Sequence, residues 1–292
     1  MRKLLVVLFV CIAFCANARV LHVDDNVIQL SQTKTTDPAL HVRIGDELWY
    51  GNMVRCQLPM NERTDKELKV RYNDKTYNVI EPFTDTTNYT YDENGQLIAA
   101  NENIYLESTG TQWIDTGFIA NQDTRIVAYA QAATKTIAFF GSRTSRVKDA
   151  FYFLCTDRDY YRTDYGSYAI DLQQCKHNQK LLIDKNKNIT TLTYEDLTTY
   201  TNTITYHQFT TPLSIGIFAL NYPAGIDLAP VGTIFYYIKI WDNDVLVRHF
   251  VPVPCGLKIG DFVVPSNGMW DIVEQKFYGN MGTGDFIYGV DE

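Results

Sequence analysis

The sequence predicts an all-β protein, on three observations. Its 292 residues include 20 Tyr and 15 Phe, with many Thr, Val and Ile, the residue types that suit pleated, half-buried surfaces. Beyond the first 18 residues, no apolar pattern holds a 3.6-residue period over a helical length. Short apolar or alternating runs are instead separated by turns of Asn, Asp and Gly.

Residues 1–18 read as an export signal. Arg2 and Lys3 give a positive start, residues 4–14 are apolar and uncharged, and Ala16-Asn17-Ala18 fits a small-x-small cleavage site. The apolar run falls short of the roughly 20 residues that a spanning helix needs. Cys15 raises a lipoprotein reading, but Phe14 stands where a small residue is expected. The chain is expected to be secreted, periplasmic or at a cell surface, with no stable membrane insertion after signal cleavage. Cleavage removes two cations and no acids, so the formal net charge moves from −8 to −10. That bulk charge argues against nucleic acid or anionic lipid as a partner. An acidic surface can hold cations such as calcium.

Cys11 and Cys15 leave with the signal, and Cys56, Cys155, Cys175 and Cys255 remain as disulfide candidates. Four cysteines in an oxidising compartment allow three pairings. Cys155 and Cys175 are close enough in sequence to staple neighbouring strands. The spacing lacks the Cys-x-x-Cys of common zinc sites.

Residues 19–83 form a small β-hairpin region with a weak internal repeat. Leu40 to Asp46 leads to Trp49, and Leu68 to Asp74 leads to Tyr77. Each time, alternating apolar residues enter a two-residue turn, Gly45-Asp46 or Asn73-Asp74, and leave as an aromatic strand. Residues 84–103 are polar and acidic, contain Asn94-Gly95, and read as a linker. From Ile104 to the end the strand pattern is dense. Tyr236 to Trp241, Asp242-Asn243-Asp244 and Val245 to Phe250 spell a hairpin whose turn needs a residue at positive φ. Leu213 to Leu220 is nearly all apolar and suits a strand buried between two layers.

Several of these segments resemble a laminin-G-like family of the concanavalin A-like lectin/glucanase superfamily, common in exported and phage-type proteins of gut bacteria. Tyr105 to Gly117 resembles that family's opening strand-turn-strand. Phe140-Gly141-Ser142-Arg143, Arg162 to Ser167, Ile183 to Asn188 and Phe218 to Asn221 follow in the family's order. The Tyr237 to Val253 hairpin, Gly268-Met269-Trp270-Asp271, Lys276-Phe277-Tyr278 and Gly282-Thr283-Gly284 complete the set. The resemblance covers residues 104–288 and implies a two-sheet antiparallel jelly-roll sandwich over residues 104–292. Asp244 departs from it by standing where a hairpin glycine is usual. The insert 175–179 and the loop 194–206 look longer than typical, and rim loops are where specificity tends to reside.

The superfamily's glucanases use two carboxylates about 5 Å apart, written on a strand as Glu-x-Asp-x-x-Glu so that alternate side chains share a face. That motif is absent. Asp157-Arg158-Asp159 has the i, i+2 spacing but no third acid in place, and Asp271 to Glu274 sits inside a family motif. The five histidines are scattered with no His-Glu-x-x-His, no Gly-x-Ser-x-Gly elbow occurs, and Gly279 to Gly284 lacks the Lys and helix of a phosphate loop. No catalytic residue is therefore assigned.

Two binding features remain. Tyr160, Tyr161, Tyr165 and Tyr168 lie within nine residues, and sugar C–H faces stack on aromatic rings. Tyr165 falls in a strand motif and reads as structural. Tyr160 and Tyr161 flank a polar turn and are expected to be exposed ligand-binding candidates. Asp157 and Asp159 are weak calcium candidates, two carboxylates where calcium takes six to eight oxygens. The expected function is an exported, non-catalytic binding module for a glycan or a cell-surface protein, in carbohydrate binding or adhesion. The alternatives are a structural or protein-interaction module of a surface assembly, docking through its N-terminal hairpins, and a glycoside hydrolase with an unrecognised site.

Overall fold

The computed structural model describes residues 83–132, 134, 137–145 and 148–291, and the backbone of six strands between residues 19 and 78. The export signal and Cys56 lie outside the described residues. Two compact units result: Met1–Thr84 with Cys255–Lys258, and Asp85–Pro254 with Ile259–Glu292.

In the first unit, Arg19–Val23, Asn26–Ser31, Glu47–Arg55 and His41–Ile44 form a four-stranded antiparallel sheet in that spatial order. Lys69–Tyr72 and Lys75–Asn78 form a separate hairpin. The strands on either side of Gly45-Asp46 and of Asn73-Asp74 pair antiparallel, with Ile44 opposite Glu47 and Tyr72 opposite Lys75; the two dipeptides themselves lie outside the described residues.

The second unit is built from two large sheets. An eight-stranded sheet runs Ile114–Asn121, Thr210–Ile217, Ile137–Ser142, Ala150–Cys155, Tyr160–Gly166, Tyr168–Gln174, with the hairpin Ala219–Tyr222 and Gly225–Leu228 joined to Ile137–Ser142. A ten-stranded sheet runs Thr199–Thr203, Ile189–Tyr194, Lys180–Asn186, Thr124–Gln131, Ile234–Asp242, Val245–Val253, Gly268–Asp271, Lys276–Tyr278. Ile104–Glu107 joins it on Ile234–Asp242, and Ile287–Val290 pairs with Ile104–Glu107.

Alternation places the apolar residues between the sheets. Thr124–Gln131 buries every second residue, including Ile126, Ala128 and Ala130. Lys180–Asn186 does the same with Leu181, Ile183 and Lys185. Phe139 of one sheet meets Phe235 of the other edge-on, with ring centroids 6.2 Å apart. The result is an antiparallel jelly-roll sandwich over one core.

Local chemistry explains the turns. Asn243 and Asp244 take φ of 48° and 63° between the paired residues Asp242 and Val245. The two-residue hairpin therefore demands positive φ at both positions, and Asp244 meets the demand without glycine. Gly141 has φ 151° and lies opposite Tyr152, where a Cβ would sit 2.2 Å from the Tyr152 Cβ.

Two stretches differ from expectation. Residues 84–103, read as a linker, carry the hairpin Tyr89–Tyr91 and Leu97–Ala100. Polar composition concealed it because its turn is itself polar: Asp92 Oδ1 accepts from the Asn94 and Gln96 amides, and Gly95 takes φ 75°. Leu97 is fully buried, and the Tyr89 hydroxyl donates to the Pro252 carbonyl at 3.0 Å. Residues 194–206, read as a loop, contain the strand Thr199–Thr203, which pairs with Ile189–Tyr194.

Candidate functional site

The turn between strands Ala150–Cys155 and Tyr160–Gly166 carries all four sequence-named candidates or their neighbours. The Thr156 amide donates to the Tyr160 carbonyl, the Tyr160 amide to Thr156 Oγ1, and the Asp159 amide to the Thr156 carbonyl. Asp159 closes the turn at φ 68°.

From here the candidates separate. Tyr160 is 43% exposed, while Tyr161 is fully buried. Tyr161 stacks on Phe153 with centroids 5.5 Å apart, and its hydroxyl donates to the Lys176 carbonyl at 3.3 Å. The expectation that both rings are exposed is corrected for Tyr161, because consecutive strand residues point to opposite faces. Tyr165 is buried, as its strand motif implied. Asp157 is exposed and borders a groove. Asp159 turns to the other side, where its Oδ1 lies 2.6 Å from His177 Nε2 and 3.8 Å from Cys155 Sγ. The two carboxylates thus have different surroundings, Asp157 the groove and Asp159 the His177 imidazole. Cys155 and Cys175 form a disulfide with Cα atoms 6.5 Å apart.

The groove lies on the outer face of the eight-stranded sheet and encloses 930 Å³. Its floor is Ala138, Tyr152, Leu154, Arg162 and Ala169, from four adjacent strands. One wall is the turn Thr156, Asp157 and Arg158; the other is the hairpin bearing Leu220, Ile226, Asp227 and Leu228. Arg143 links floor to wall. Its Nη2 is 3.1 Å from Asp227 Oδ2, and its guanidinium sits 5.0 Å from the Tyr222 ring centroid. The Tyr222 hydroxyl donates to Asp227 Oδ1 at 2.9 Å. Arg162 makes a two-pronged contact with Asp171 at 2.6 and 2.9 Å. Arg158 is exposed and forms no ion pair with any described residue.

One residue without a role in the sequence reading lies on the same sheet face as this floor. Asp164 is directly opposite Tyr152 on one side and Ala169 on the other, so it shares their face. It is fully buried, and neither carboxylate oxygen has a well-formed hydrogen bond. Burial raises its pKa to about 6, against the opposing pull of Lys185, the Tyr152 hydroxyl and the Tyr165 amide. Its even spacing from Tyr160 and Arg162 shows which face it is on. Nothing in the local sequence shows that this face is covered there.

No protein-family model matches the chain, and no curated protein matches it. Among solved structures it is similar to the mouse laminin alpha1 chain, domains LG4-5. The identity is 13% and the TM-score 0.36, over 76% of this chain and 64% of that chain. The chain thus spans less than two thirds of that structure's length. By its own strand order and core, the larger unit is an antiparallel jelly-roll sandwich, the fold class that the laminin-G-like resemblance implies.

Proposed function

We propose that the larger unit is a non-catalytic binding module whose outer-face groove takes a carbohydrate, displayed outside the cytoplasm. The observation that carries this reading is the mixed lining of the groove. Leu154, Ile226 and Leu228, each half-buried, offer apolar surface to the C–H face of a sugar ring, over the buried Tyr152 and Leu220. Arg158, Arg162, Asp157 and Asp227 surround it with donors and acceptors for hydroxyl groups. Tyr160 stands exposed on the same sheet face, two residues from Arg162. A disulfide fits an oxidising compartment. Among the described residues, no helix is long and apolar enough to cross a membrane.

A glycan array probed with the full chain, with and without calcium, tests the reading. Binding to a defined set of glycans that is weakened by Arg158→Ala supports it. Silence across host and microbial glycans overturns it and leaves a protein partner as the alternative. Release of free sugar, abolished by Asp164→Asn or Asp157→Ala, would overturn the non-catalytic part.

A further inference from the structure

Beside the groove, the end of strand Ala150–Cys155, the turn at residues 156–159 and the loop at 175–178 gather three side chains that bind metals well, with a fourth, His177, next to one of them. Cys155 Sγ, Cys175 Sγ and an Asp159 carboxylate oxygen all lie within 4.8 Å of one another. His177 adds Nε2 at 2.6 Å from Asp159 Oδ1, and its Nδ1 is buried without a hydrogen-bond partner. Both cysteines are buried. In the oxidised chain the sulfurs are spent on each other.

The backbone holds these groups together without help from sulfur. The Cys175 amide donates to the Asp159 carbonyl at 2.8 Å, and the Asp159 amide to the Thr156 carbonyl at 3.0 Å. The Asn178 amide donates to the Ala132 carbonyl at 2.7 Å, and the Tyr161 hydroxyl to the Lys176 carbonyl. Cys155 ends a strand paired on both sides, with Ile137 and Tyr161. Opening the disulfide therefore leaves the four ligand-bearing positions where they are.

We propose that reduction converts this disulfide into a zinc site of Cys155, Cys175, His177 and Asp159. A dithiol reductant supplies two electrons and two protons, the S–S bond breaks into two thiols, and the reductant leaves as its own disulfide. Zinc then displaces the two thiol protons to solvent and binds the thiolates. Two thiolates, an imidazole and a carboxylate fill a tetrahedral zinc sphere, and the thiolates select zinc over calcium. With Zn–S near 2.3 Å the sulfurs must part to about 3.8 Å, and the His177 ring, which now meets only Asp159, must turn towards them. A closed four-ligand set is structural, so the metal replaces the staple that reduction removes. The spacing hides the site: the cysteines are 20 residues apart, and no Cys-x-x-Cys announces them.

The test uses the full chain, reduced with dithiothreitol, desalted without oxygen and titrated with zinc alone. A Cys155→Ser/Cys175→Ser chain treated identically subtracts the other cysteines. The expected result is one more zinc per chain than this reference, a thiolate-to-cobalt charge-transfer band with cobalt as the probe, and affinity weakened about tenfold or more by His177→Ala or Asp159→Asn. If the reduced chain loses its β-sheet circular dichroism, zinc restores it. The proposal is overturned by no excess zinc, by equal uptake in the oxidised chain, by uptake indifferent to both substitutions, or by a lost fold that zinc does not restore.

Discussion

The Lys185 ammonium reaches across the sandwich and donates to Thr163 Oγ1 at 2.9 Å. Lys185 stands on the ten-stranded sheet and Thr163 on the eight-stranded one, and both are fully buried. Thr163 Oγ1 also shares a hydrogen bond with Thr190 Oγ1 at 3.1 Å. The ammonium lies 4.3 Å from the Phe151 ring centroid and 5.8 Å from that of Tyr165. Asp164, next to Thr163, is the carboxylate that favours its charge.

Lys185→Met is expected to stabilise the protein. Burial lowers the Lys185 pKa from 10.5 to about 7, with Asp164 opposing. Between those values the unfolded chain binds a proton that the folded chain does not, so stability rises with pH from about 7 to about 10.5. The full penalty applies below pH 7. Methionine removes it and keeps the volume, a gain on the order of 1–4 kcal/mol at neutral pH. Urea unfolding across that pH range checks both the gain and the flattened slope; a lower midpoint for the variant would refute it.

Asp164→Asn should alter the acid limb instead. With a folded pKa of about 6 above an ordinary 3.8, the folded chain holds the proton longer than the unfolded one. Wild-type stability therefore falls as pH rises from about 4 to about 6, by on the order of 2–3 kcal/mol. Thermal unfolding of the variant should show no such fall. An unchanged acid limb would assign it to another group.

Gly141→Ala should be costly. The new methyl would meet the Tyr152 Cβ at 2.2 Å, within a paired strand and at φ 151°. A loss of about 3 kcal/mol or more is expected. Calorimetry that places the variant within a degree of wild type would contradict the close pairing.

The two adjacent tyrosines should behave oppositely. Tyr161→Ala empties a site packed against Phe153 and Phe139 and should cost about 3–5 kcal/mol. Tyr160→Ala, on the exposed face, should stay within about 0.5 kcal/mol. Denaturant midpoints of the pair decide between this arrangement and one with both rings outside.

Arg158→Ala isolates the groove. It is exposed and bridges nothing among the described residues, so stability should move by less than about 0.5 kcal/mol. Affinity for whichever glycan the array identifies should fall about tenfold, the loss of one charge-assisted hydrogen bond. Unaltered affinity would move the ligand away from the Thr156–Arg158 wall.

What the sequence determined by itself was local. The period-2 runs and the Asn243-Asp244 turn were legible, because each is set by a few adjacent residues; four cysteines allowed three pairings, and only the fold joins Cys155 to Cys175. The hairpin at residues 89–100 was not, since its polar turn looks like a linker until Tyr89 and Leu97 are seen buried. Tertiary structure decided the rest. Leu181, Ile183 and Lys185 share one strand face, and only the facing Thr163 and the two aromatic rings explain why a lysine follows two apolar residues inward. Asp157 and Asp159 differ by one intervening residue, yet a left-handed backbone at Asp159 sends one to His177 and leaves the other on the groove. The groove itself joins Arg143 to Asp227 across 84 residues and Arg162 to Asp171 across a strand pair. Such neighbours are created by sheet register, a property of strands meeting and not of any stretch read alone.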